Sequence, residues 1–125
     1  MNLQFLVGAI LLFVAFGIHV FAGEKTDVKE LIQSNVPANY KAELRMTFHV
    51  IAVDCLISGI YLMVLAFNNT IAGTNLLASF TALRFAAYGV MAFFLLFFTK
   101  RDHLLKFPQW VSLIAIGGVI WWGTL

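Results

Sequence analysis

Four side chains that could do chemistry stand in or beside stretches otherwise suited to hydrocarbon. Asp54 lies near the middle of an apolar run from Arg45 to Phe67, and Arg84 interrupts another from Leu76 to Phe98. An ionised group at the centre of a membrane helix costs about 2.5–3.5 kcal/mol on insertion scales, so each needs a partner or a purpose. At about 100° per residue, Thr47, Asp54, Ser58 and Tyr61 share one face of the first run, and Thr81, Arg84, Tyr88 and Met91 one face of the second. The rise of about 1.5 Å per residue puts Asp54 roughly 15 Å above the cytoplasmic end of its helix and Arg84 about 12 Å below the outer end of its own. Helices joined by a short loop are antiparallel neighbours. An Asp54–Arg84 ion pair inside the bundle is therefore expected. It has two readings: a lock on the register of the two helices, or the lining of a small-ligand, ion or proton path. Ser58, Tyr61, Thr81 and Tyr88 extend that path in one reading and supply the hydrogen bonds that buried charges require in the other.

The remaining two are His19, close to the end of the first apolar run, and His49, early in the second. They lie about four and five residues from the same side, hence at similar depth. Two neutral imidazoles at one level could ligate haem iron or another transition metal. Hydrogen bonding to each other, to Arg45 or to Glu24 without a metal is the other reading, and no cofactor is expected on two histidines alone. His103, next to Asp102, reads as a solvated loop residue. Cys55 is the one cysteine; it forms no internal disulfide and reads as a small hydrophobe. CxxC, HExxH, P-loop, GxGxxG and GxSxG patterns are all missing, so no catalytic residue is assigned and the reading is not of an enzyme. Eight Lys and Arg in the whole chain, seven of them split between two loops, make no phosphate-tracking groove for nucleic acid.

The elements that must hold these residues follow from composition. Of 125 residues 62% are hydrophobic and 11% charged, whereas soluble domains run to roughly 45–50% and about 25%. Four apolar segments, about 3–22, 42–67, 76–98 and 108–125, have the length a hydrocarbon core of about 30 Å demands. They lack the alternation of barrel strands, so they should be helices. The first could pass for a signal peptide ending at Val20-Phe21-Ala22, but no Lys or Arg precedes it and it exceeds the usual apolar core, so it is kept as a span. The fold class expected is all-α, a transmembrane four-helix up-down bundle in a single domain, 1–125.

The charges orient it. Lys25, Lys29, Lys41 and Arg45 fall in or beside the first loop, and Lys100, Arg101 and Lys106 in the third. By the positive-inside rule those loops are cytoplasmic and both termini extracytoplasmic. In the first loop Thr26 or Asp27, with Glu30, can cap a short interfacial helix over about 27–34 whose apolar face is Val28, Leu31 and Ile32. Pro37 suits the start of the next helix, and Lys41 and Arg45, one turn apart, are expected against lipid headgroups. Trp110, Trp121 and Trp122 read as belt aromatics. Gly117 and Gly118 would admit a neighbouring backbone, and Gly8, Ala15 and Ala22 form a small-residue strip that His19 continues. Asn68-Asn69-Thr70 has the form of a glycosylation acceptor and reads as a chance match. Partners expected are the bilayer and further copies or another membrane subunit, since four short helices leave little room for a path within one copy.

A His closing helix 1 before a Gly, a Pro-containing loop, and an Arg-x-x-aromatic-His at the head of helix 2 here read His19 with Gly23, Pro37, and Arg45 with Phe48-His49. Over roughly its first half the chain thus resembles a family of small four-helix bacterial inner-membrane proteins. Trp usually stands in that family where this chain has Phe48. The resemblance implies a bacterial inner-membrane location and singles out the histidines; it brings no activity.

Overall fold

The structure, a computed structural model, describes residues 1–68, 70–99 and 109–125. All regular structure among them is helical. We number the helices α1 (Leu3–Gln33), α2 (Ala38–Phe67), α3 (Thr74–Thr99) and α4 (Gln109–Trp122). The first three are long and apolar enough to cross a membrane; α4 is apolar and shorter, 14 residues. The third loop, with Lys100, Arg101, His103 and Lys106, and Pro108 ahead of α4 lie outside the described residues, as does Asn69 of the acceptor-like triplet.

α1 departs from the expected pattern. Leu3–Gly17 is ordinary α-helix, then Ile18–Ala22 and Glu24–Val28 wind in wide π turns before a last α-helical stretch, Lys29–Gln33. The expected interfacial helix over 27–34 is thus the continuation of α1 rather than a separate element. Capping requires a residue that leaves helical φ and ψ, and Gly23 at φ −61°, ψ −38° never does. Its N–H bonds the Ile18 carbonyl five residues back. Thr26, one of the expected caps, instead directs its hydroxyl to the Ala22 carbonyl at 3.0 Å. The chain turns only at Ser34, whose extended backbone ends α1 and whose hydroxyl donates to Leu31 O at 2.6 Å.

Each long helix buries one narrow strip and exposes apolar side chains elsewhere. On α2, Ala52, Cys55, Ser58, Leu62 and Ala66 are buried, while Val50, Val53, Ile57, Ile60 and Val64 are exposed. On α1, Phe5, Ala9 and Leu12 face inward and Val7, Ile10, Val14 and Ile18 outward. A water-soluble helix would put charge on the outer face. Here the outer face is as apolar as the inner one.

The chain divides into two compact units, Met1–Gly8 with Leu62–Leu125, and Ala9–Tyr61. In the first, Asn2 caps α1 by accepting the Phe5 N–H at 3.1 Å, and its amide donates to Gly123 O at 2.8 Å. The Asn2 N–H bonds Ala66 O at 2.8 Å, and the Asn75 amide donates to Thr124 O at 3.4 Å. The start of α1, the end of α2, the start of α3 and the end of α4 therefore meet at one end, as an up-down order demands. Within this unit α3 and α4 touch backbone to backbone: a Cβ on Gly117 would stand 2.7 Å from Ala82 O and 3.0 Å from Ala86 N. Gly118 meets open space, so only one of the two expected glycines is a contact. Trp110 packs on Phe93, ring centroids 5.1 Å apart, and Trp121 and Trp122 are exposed.

Candidate functional site

Within Ala9–Tyr61 the wide-turned part of α1 faces one turn of α2. At the α-helical pitch His19 and Glu24 would stand about 140° apart; a π turn takes more residues to close and narrows that angle. Both side chains reach the surface of α2 where Arg45, Phe48 and His49, spaced i, i+3, i+4, share a face. Glu24 Oε1 accepts from His49 Nε2 at 2.6 Å. The same carboxylate takes Arg45 as a fork: Nε and Nη2 donate to Oε1 at 3.2 and 3.0 Å, and Nη2 also to Oε2 at 3.2 Å. His19 Nε2 lies 2.9 Å from the Phe48 carbonyl. An ionised carboxylate and a carbonyl can only accept, so both imidazoles carry hydrogen on Nε2.

Phe48 holds the cluster in register. His19 stacks on its ring at 3.8 Å between centroids, 15° between planes. His49 meets the same ring edge-on at 5.7 Å. Gly23 is buried at this point, and a Cβ there would collide with the Phe48 ring. The glycine admits the ring, and the ring separates the histidines' roles: one stacks and bonds a carbonyl, the other bonds a carboxylate.

Glu24 is the first charged residue after the apolar run. The 31 residues of α1 extend about 46 Å, so a span of about 30 Å starting at Leu3 would leave roughly the last ten, Glu24 among them, outside the hydrocarbon. Desolvation pushes the Glu24 carboxyl up, but hydrogen bonds from His49 and Arg45 and their charges outweigh it, so the group is held below its ordinary value. The side chains are 30% exposed for Glu24, 35% for His49 and 51% for Arg45; water reaches all three.

Other expected residues are placed as follows. Ser58 is buried and Asp54 half-buried, with the Ser58 hydroxyl 3.5 Å from Asp54 Oδ1 and Asp54 Oδ2 shut away from solvent. Tyr61, half-buried, follows one turn on. Thr47 is exposed and bonds the Glu43 carbonyl at 3.0 Å, so it does not extend that polar face inward. In the other unit Thr81 is buried, its hydroxyl donating to Leu77 O at 3.0 Å. Arg84 is half-buried with its guanidinium 5.5 Å from the Phe85 centroid, and Phe85 meets Tyr88 edge-on. The expected Asp54–Arg84 pair takes one residue from each unit and stands as an expectation from sequence. Lys41 and Arg45, expected at headgroups, bond within the protein: Lys41 Nζ donates to Ile32 O at 2.6 Å, capping the C-terminal end of α1, and Arg45 holds Glu24.

Glu24 is the residue sequence reasoning undervalued, naming it only as one alternative partner for the histidines. Its signal was position: an acid directly after the small-residue strip, beside the glycine that lets α2 approach.

The class these observations define is an all-helical protein with three helices of membrane-crossing length and a charged cluster just past the end of one apolar run. No family model matches the chain, and neither the curated proteins nor the solved structures contain a match to it.

Proposed function

We propose that this chain is a small multi-pass protein of the bacterial inner membrane that handles a small ion or ligand through polar side chains on the inner strips of its apolar helices. The observation that carries this reading is the inversion on α2, where Ser58 and the Asp54 Oδ2 atom are buried while valines and isoleucines are exposed. Hydrocarbon suits that outer face, and the buried Ser58 hydroxyl beside the acid leaves a polar strip turned inward. Arg84 and Thr81 are the corresponding polar residues of α3, while Tyr88 is exposed. The positive-inside rule puts the Glu24 end in the cytoplasm and both termini outside. The bonds that gather both termini beside the start of α3 support that order. Further copies or a partner subunit would complete a path. The test is flux through vesicles holding the purified protein: Asp54→Asn is expected to abolish it, and unchanged flux refutes the reading.

A second reading, an electron carrier with haem or a metal on His19 and His49, draws on one feature: each imidazole donates Nε2–H to an oxygen, the support that metal-ligating histidines commonly have. The Phe48 ring packed against both works against a shared ion. A coloured or metal-containing preparation is what this reading expects, and a colourless, metal-free one ends it.

A further inference from the structure

We propose that the ion is the proton, and that the Glu24–His49 pair is where it is taken up from the aqueous side. This rests on the reading of α2 as an ion-handling helix and goes further by naming the ion and its port. The pair is built for exchange. With Nε2–H held by the acceptor-only carboxylate 2.6 Å away, Nδ1 is the ring nitrogen at which a proton is gained or lost. Arg45, forked on the same carboxylate, keeps Glu24 aimed at His49. A third of the His49 side chain is exposed, at 35%.

Above His49 on α2, within the same unit, come side chains that carry exchangeable protons, the first of them Asp54, about 140° further round the helix. Asp54, Ser58 and Tyr61 stand about 7.5, 13.5 and 18 Å above it by the helical rise of about 1.5 Å per residue. Ser58 leans on Asp54. The groups facing the port are Glu24 and His19 from α1 and Arg45 from α2. The step balances simply. A hydronium gives its proton to His49 Nδ1 and leaves as water; the imidazolium, held against the Glu24 carboxylate, returns that proton through water to an Asp54 oxygen. His49 is then neutral again and Asp54 is a neutral acid, the form an apolar run accepts at least cost.

The experiment uses the full chain in phosphatidylethanolamine–phosphatidylglycerol vesicles with a trapped pH-sensitive dye, an imposed proton gradient and valinomycin–potassium for charge balance. Sodium and rubidium uptake are followed in parallel. Wild type is expected to collapse the gradient. Glu24→Gln and His49→Gln, each checked for a cooperative melt in detergent, should slow it at least tenfold, and Asp54→Asn should abolish it. Wild-type rates in both Glu24→Gln and His49→Gln, with Asp54→Asn inactive, would overturn the port alone. Sodium or rubidium flux without proton flux overturns the proton and leaves the ion reading standing. Wild-type flux in Asp54→Asn, or no flux of any ion in wild type, overturns the reading beneath it.

Discussion

Gly23 and Gly117 both let a neighbouring helix come close, and what comes close differs. At Gly117 the neighbour is backbone, the Ala82 carbonyl and the Ala86 amide of α3. At Gly23 it is the tip of the Phe48 ring, which in turn carries His19 on its face and His49 at its edge. The unit of Met1–Gly8 and Leu62–Leu125 uses its polar groups to close helix ends, as Asn2 does for α1 and Thr124 for α4. The stretch Ala9–Tyr61 holds the Glu24 cluster, with Arg45 and His49 on one carboxylate. One region is regular helix packed by small residues. The other bends its helix into wide turns, and π turns often accompany functional sites. The contrast is between a glycine that seats a neighbouring backbone and one that seats a ring bearing a charged cluster.

The sharpest way to break that contrast is to fill the two glycines. Gly117→Val has rigid backbone on the far side, so α3 and α4 must part. A loss of about 3 kcal/mol is expected, at the upper end of overpacking costs, read as a lower melting temperature in detergent. Gly118→Ala, next to it and facing open space, should be neutral or stabilise by up to about 1 kcal/mol through helix propensity. Equal losses in both would show that α4 gains nothing from close approach.

Gly23→Ala should behave differently. The obstructing atoms end a side chain that can swing, and alanine gains about 1 kcal/mol of helix propensity that offsets the clash. The net stability change is expected to stay below about 1 kcal/mol. Its visible effect should fall on His19, whose ring protons lie over Phe48 and are shifted by its ring current. Loss of that shift in the NMR spectrum, with melting unchanged, sharpens the comparison; an unmoved His19 signal would mean that Gly23 does not set the stack.

The apolar runs and their helical character were legible in the sequence because both are local properties: run length, hydropathy and the missing alternation. The continuity of α1 was not. Thr26, Asp27 and Glu30 have capping spacing, but whether a helix breaks at Gly23 was decided by Phe48 and Arg45, more than twenty residues away. Lys41 reads as a headgroup anchor, and the bond from its ammonium to the Ile32 carbonyl was likewise not legible. His49 could be paired with Glu24 in outline because both sit near one end of their apolar runs. What the sequence could not show was that wide turns would bring His19 and Glu24 towards one side.

The smallest effect expected is on acid stability, and it belongs wholly to the Ala9–Tyr61 region. The Glu24 carboxyl is held below its ordinary value of 4.5: desolvation acts to raise it, and the bonds from His49 and Arg45 prevail. A carboxyl lowered in the folded state binds fewer protons there than in the unfolded chain, so it stabilises the fold. That contribution is complete above pH 4.5, the unfolded-state value, and is lost as pH falls through the lower folded-state value. Because Glu24 is open to water the slope should be shallow. Melting followed from neutral pH downward should therefore show wild type losing slightly more stability than Glu24→Gln, with the two curves converging at the acid end. Gly117→Val should start lower and run parallel to wild type throughout, since no titrating group lies in the contact it breaks. Parallel curves for wild type and Glu24→Gln would mean that the carboxylate is not held by its two partners in solution, and the division between a packing region and a titrating one would lose its footing.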